Sequence, residues 1–174
     1  MKSIKKIGLF LTGGLLCLNA MAQKNNDIVD VAAGSADHTT LVAAVKAADL
    51  VAILKSKGPF TVFAPTNAAF EKLPAGTVAS LLKPENNAAL AGILTYHVVS
   101  GNLNAKAVLA AIKKGKGKAV VTTVAGGKLT ASVENGKVVL TDEKGGKATV
   151  TATDLKASNG VIHIIDAVLL PGSK

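Results

Sequence analysis

The spacing of hydrophobic positions changes partway along the chain and divides it into a helical first part and a stranded second part. Ile28, Val31 and Ala32 share one face of a short helix expected over residues 27–33. Leu41, Val42, Val45 and Ala48 form the stripe of a longer helix that Asp37 or Thr39 can cap. Residues 50–54 add a further apolar turn, stopped by Gly58-Pro59. Residues 60–64 then read as a strand covered on both faces, with Phe60, Val62 and Ala64 on one side and Phe63 on the other. Pro65 has no N–H for the ladder and ends it. Thr66 or Asn67 is placed to cap the next helix, whose buried face carries Phe70 and Leu73.

Pro74, Gly76 and Pro84 punctuate two more helices, with Pro84 suited to a first helical position and Leu90, Ile93 and Leu94 as the buried stripe. The run Tyr96-His97-Val98-Val99-Ser100-Gly101 is expected as a short strand. Asn104 can cap a helix over 105–112, and residues 113–118 form a lysine-rich loop broken by glycines. From Ala119 onward the period is two. Leu129, Ala131 and Val133 alternate with Thr130, Ser132 and Glu134, which gives one buried and one wet face. Asn135-Gly136 between two such runs predicts a tight hairpin, because both central residues of that turn need positive φ. Lys144-Gly145-Gly146 makes the next turn and residues 148–153 alternate again. Asn159-Gly160 precedes a last strand over 161–170, closed by Pro171. Helices first and a strand meander afterwards predict one α+β domain with an antiparallel sheet system.

Composition changes this picture at the start of the chain. Lys2, Lys5 and Lys6, the apolar run 7–18 and Ala20-Met21-Ala22 have the layout of a cleavable signal peptide over residues 1–22. That run is too short to span a bilayer, which takes ~20 residues. Cleavage leaves residues 23–174 as a single exported domain and removes Cys17, the only cysteine. The mature chain then has no disulfide, thiolate nucleophile or cysteine metal site. The net charge of +9 is carried by lysine alone, and there is no arginine, no tryptophan and one tyrosine. Nucleic-acid binders combine arginine with stacking aromatics, so no nucleic-acid partner is expected. An anionic partner stays open.

Three stretches resemble the signatures of the fasciclin domain family. Residues 58–70 resemble the first, through Phe60, Phe63, Pro65, Thr66, Asn67 and Phe70. Tyr96-His97-Val98-Val99 is similar to its tyrosine–histidine motif, and residues 148–171 to its closing segment, most clearly around His163 and Asp166. The resemblance implies a β-wedge or sandwich with helices packed along it. It also implies a non-catalytic module for cell adhesion or envelope and matrix contact, with a protein or surface-polysaccharide partner, and the expected export makes it periplasmic, secreted or cell-surface associated. Some algal fasciclin-like proteins hold carotenoids, so a carrier of a small apolar ligand, a carotenoid or lipid, is the alternative. Asn67 departs from the family's usual aspartate and keeps capping ability without the charge. Animal relatives contact integrins through the tyrosine–histidine region and acidic motifs. No matching acidic tripeptide is present, so that partner is not inherited.

Candidate chemistry is sparse. His38, His97 and His163 show no metal-ligand spacing, and no nucleophile elbow, zinc helix or phosphate loop occurs. No catalytic residue, metal or cofactor is expected. Tyr96 and His97 are the candidate partner-binding residues, set against a reading in which both fill core. His163 and Asp166 are read as structural, with Asp166 accepting hydrogen bonds from backbone or from His163. His38, near a helix start, is expected to be exposed.

Overall fold

The computed structural model describes residues 26–172; the expected leader with Cys17 lies outside the described residues, as do 23–25 and 173–174. Short helices α1 (Ile28–Ala33), α2 (Thr39–Ala47) and α3 (Val51–Leu54) lead into strand β1 (Phe60–Pro65). Helices α4 (Asn67–Glu71), α5 (Thr77–Leu81) and α6 (Asn87–Tyr96) follow, then β2 (Val98–Ser100) and α7 (Ala105–Lys114). The chain finishes with β3 (Lys118–Thr122), β4 (Lys128–Glu134), β5 (Lys137–Thr141), β6 (Lys147–Ala157) and β7 (Gly160–Ile165).

Side-chain caps fix several of these boundaries. Asp27 makes a reciprocal capping box with Asp30 at α1, Thr66 Oγ1 accepts from Ala69 N–H at α4, and Asn104 Oδ1 accepts from Ala107 N–H at α7. The Asn135-Gly136 hairpin forms as expected, with φ of 50° and 78°.

The seven strands run in the order β2-β1-β7-β6-β5-β4-β3. All neighbours are antiparallel except β1 and β7, which pair in parallel from Phe60↔Gly160 to Pro65↔Ile165. An entirely antiparallel system was expected, but β1 is joined to β7 through almost the whole domain, and so long a connection permits a parallel partner. The sheet also curls back on itself. Thr123, just beyond β3, bridges Val99 of β2, and Val124 N–H donates to Val98 O at 2.7 Å, giving a barrel-like outline.

Strand β1 separates two cores. Val62 and Ala64 face the helical layer with Ile28, Leu41, Val45, Leu54, Leu90 and Leu94. Phe63 faces the barrel interior with Tyr96, Val108, Leu129, Leu140, Ile165 and Leu169. A strand covered on both faces is therefore what its largely apolar sequence, broken only by Thr61, encodes.

Four expectations are corrected. Tyr96 is not in a strand: α6 continues through it, and His97 closes the helix end with Nδ1–H donating to Ile93 O. The last strand stops at Ile165, where the Asp166 carboxylate takes Thr149 N–H and Lys72 Nζ donates to the Asp166 carbonyl. Residues 113–114 belong to α7 rather than to the loop. Val133 is exposed at the tip of its hairpin, where no opposite layer reaches it.

Candidate functional site

Tyr96 and His97 sit where α6 turns into β2, and both side chains are enclosed, Tyr96 at 0% and His97 at 2% exposure. A partner touching the folded surface does not reach them, which corrects their expectation as contact residues. Their polar atoms are all engaged. The Tyr96 hydroxyl donates to Lys128 O at 2.8 Å and accepts from Glu143 N–H at 3.3 Å. Its ring lies against Gly127, where any Cβ would collide with the ring edge. Burial pushes the Tyr96 phenol above its ordinary range.

His97 Nδ1–H donates to Ile93 O at 2.8 Å, so Nε2 is the acceptor, and it takes Leu169 N–H at 3.0 Å. That arrangement needs a neutral imidazole. Burial, only partly offset by the Ile93 hydrogen bond and the Asp142 charge, pushes its pKa down to about 4.

Asp142 and Glu143, in the turn after β5, extend this arrangement. Asp142 Oδ1 accepts from Lys144 and Gly146 N–H, while Oδ2 takes Leu170 N–H at 2.9 Å. Glu143 accepts from Lys128 N–H through Oε1 and from Gly172 N–H through Oε2. Backbone N–H groups of Leu169, Leu170 and Gly172 thus end on His97, Asp142 and Glu143, and the segment after β7 becomes a strap over the barrel end. Spacing gave no warning of the two acidic residues, because they meet the strap only through the fold. An acidic pair directly before Lys144-Gly145-Gly146 is the one local hint, since aspartate commonly folds a turn back on itself.

The remaining motif residues lie in or beside the two cores. Phe60 is half-buried, Pro65 closes the β1–β7 ladder opposite Ile165, and Phe70 is buried in the core beneath the helical layer. Asn67, the first residue of α4, holds the preceding helices. Its Oδ1 accepts from Thr40 N–H and Thr39 Oγ1–H, and its Nδ2 donates to Ala36 O. His163 stacks on Phe63 at 5.6 Å between centroids, with Nε2–H donating to Leu103 O at 2.7 Å. Asp166 accepts from Thr149 N–H at 2.7 Å and does not meet His163.

His38 is buried, not exposed, because the bridge from Asn67 folds the turn before α2 onto β1. Its Nδ1 pairs with Ser35 Oγ at 2.9 Å, and Nε2, close to the Ala64 backbone, makes no well-formed hydrogen bond. Burial holds its pKa below the ordinary histidine range. Thr61 is a buried polar residue that sequence reading passed over. It donates to Gly101 O at 2.7 Å and accepts Leu103 N–H at 2.8 Å, fixing the loop into α7. A lone threonine at a core-facing position in an apolar strand was the available signal.

Among the described residues no group of three or more His, Cys, Asp or Glu side chains converges as a cation cage requires, and no helix is long and apolar enough to cross a membrane. Between the helical layer and β1 runs a narrow apolar cavity of about 50 Å³, lined by Val45, Leu54, Phe60, Val62 and Leu94 among others. That is room for a few water-sized groups, so a carotenoid or lipid chain would have to displace packed side chains.

These features define an α+β domain in which the most distinctive polar residues support the interior. The chain belongs to the fasciclin domain family, whose model matches residues 36–171. It is 57% identical over 144 residues to Protein sll1483 of Synechocystis, covering 83% of this chain and 73% of that one. It is 37% identical over 153 residues to Immunogenic protein MPB70 of Mycobacterium bovis, covering 84% and 70% of the two chains. Human periostin is 30% identical over 153 residues, covering 88% of this chain, which spans 17% of periostin. A solved FAS1 domain pair from the insect cell adhesion molecule Fasciclin I superposes with a TM-score of 0.57 at 26% identity, over 72% of this chain and 42% of the insect chain. Fasciclin domains serve generally in adhesion and matrix interaction.

Proposed function

We propose that this protein is an exported, non-catalytic interaction domain that supports adhesion or contact between the cell envelope and its surroundings, with a protein or surface polysaccharide as partner. The observation that carries the reading is the enclosure of Tyr96, His97 and His163 in the interior, within a fold whose family serves in adhesion. A histidine with both nitrogens bonded to backbone, as in His97, has no lone pair or proton to offer a substrate. Interaction must then use the outer surface of helices and strands. The apolar cavity favours this reading over a carrier of carotenoid or lipid, because its volume suits neither.

Deleting the coding sequence and measuring aggregation, biofilm formation and surface attachment tests the proposal. Loss of one or more of these, restored by re-expression, is expected; unchanged behaviour in all three would overturn it.

A further inference from the structure

A trough lined by lysine and asparagine side chains lies at the end of the sheet where the parallel strands β1 and β7 begin. It consists of two open hollows, of about 540 Å³ and about 340 Å³, that adjoin at Asn102, Ala157 and Gly160, which line both. Lys57 stands on the first hollow and Lys106 and Lys156 on the second, all three exposed. Among the described residues none of the three has an ion-pair partner within 4 Å. Lys55 also lines the first hollow, but Asp27 and Asp30 hold it at 2.8 and 3.0 Å. The floor is backbone: a Cβ on Gly58 would strike the Asn159 carbonyl, and one on Gly160 the Phe60 carbonyl.

We infer that this trough binds a linear polysaccharide bearing carboxylates, a uronic-acid polymer, with Lys57, Lys106 and Lys156 meeting its charges and Asn102 its hydroxyls. The inference rests on the reading of the protein as an adhesion domain and names its partner class. The chemistry of the lining selects that class. Neutral sugars and single-stranded nucleic acids are gripped by aromatic platforms, and no aromatic side chain lines either hollow. Protein interfaces centre on buried aromatic or arginine anchors, which the lining also lacks. A membrane surface presents no ridge to fill a trough and would call for apolar residues at its rim.

Charge density then separates the acidic polymers. Three unpaired lysines face one carboxylate, Asp154, whose Oδ1 is occupied by Ala105 N–H at 2.8 Å. Such a modest excess matches about one charge per sugar, whereas a densely sulfated chain would bring surplus anions against Asp154. The denser lysine cluster at Lys113, Lys114, Lys116 and Lys118 lies outside both hollows, so it attracts anions without shaping their approach.

The test titrates the full chain with polygalacturonate, dextran sulfate, neutral dextran, poly-glutamate and vesicles of phosphatidylcholine with 30% phosphatidylglycerol. Two folded variants of equal charge are compared, Lys57→Gln/Lys106→Gln/Lys156→Gln and the control Lys113→Gln/Lys116→Gln/Lys118→Gln. The trough variant should lose about tenfold in affinity for polygalacturonate and the control less than about twofold, with binding weakening as salt rises. Dextran sulfate should weaken similarly in both variants, and neutral dextran should not bind. Equal loss of polygalacturonate binding in both variants would reduce the trough to general charge and overturn the inference, as would no binding at all. Trough-dependent binding of poly-glutamate or vesicles at the strength of polygalacturonate would overturn the choice of polymer. None of these failures touches the adhesion reading, which the deletion strain tests independently.

Discussion

The Tyr96–His97 end of the molecule and the lysine trough at the start of β1 and β7 are both rich in polar side chains, yet they use them oppositely. Around Tyr96 and His97 each side-chain polar atom has a backbone partner and is removed from water. Along the trough the side-chain ends of Lys57, Lys106 and Lys156 stay in water with no ion partner among the described residues. The contrast teaches that the residues most recognisable in this sequence are those the fold needs, and under the proposed reading contact with a partner falls to residues that carry no motif. Removing a partner from a buried polar group leaves the other unsatisfied, at about 1–3 kcal/mol, while an exposed lysine contributes almost nothing to stability.

That contrast can be broken by mutation, and the largest effect is expected at Tyr96. Tyr96→Ala removes a fully buried ring between α6 and β4 and should cost about 3–5 kcal/mol in denaturant unfolding. A loss below about 1 kcal/mol would mean the ring is not an interior support. Next comes pH. Folded His97 titrates near 4 against an ordinary value of 6.5, so the unfolded chain takes up its proton first as pH falls. Its contribution is complete above about pH 6.5 and is lost on the way down to about pH 4, by up to about 3 kcal/mol. Burial of His38 acts in the same direction. Unfolding midpoints between pH 7 and 4 should therefore fall, and more shallowly in a folded His97→Gln chain; identical slopes would remove His97 from the account.

A smaller effect is expected at the caps. Thr66→Ala loses the hydrogen bond to Ala69 N–H, at about 1 kcal/mol by thermal unfolding, whereas Thr66→Ser should be close to neutral. Smallest of all, the triple lysine-to-glutamine change in the trough should leave stability within about 0.5 kcal/mol of the parent. A larger loss would show that these side chains also support the fold and would dissolve the comparison.

Local chemistry made much of the fold readable. Thr66 and Asn104 could be placed as caps because a side-chain acceptor before an apolar stripe has one favourable use, and Asn135-Gly136 because few other pairs tolerate two positive φ values. The parallel pairing of β1 with β7 was not readable, since a strand covered on both faces has the same apolar run whichever way its neighbours point. Tyr96 was misplaced because Val98-Val99 suggested a strand that began two residues too early. The strap contacts of Asp142 and Glu143 depend on chain segments far apart in sequence. The trough lay beyond reach for the same reason. Lys57, Lys106 and Lys156 are about fifty residues apart and are brought together by the sheet.

The register Phe60↔Gly160 has a consequence for the order of events in the cell. A ribosome delivers β1 roughly a hundred residues before the strand that completes it, and closing so wide a loop is entropically slow. Until β7 emerges, the nascent polypeptide has no finished barrel to lock it, so the architecture closes only once nearly all of the domain has been made.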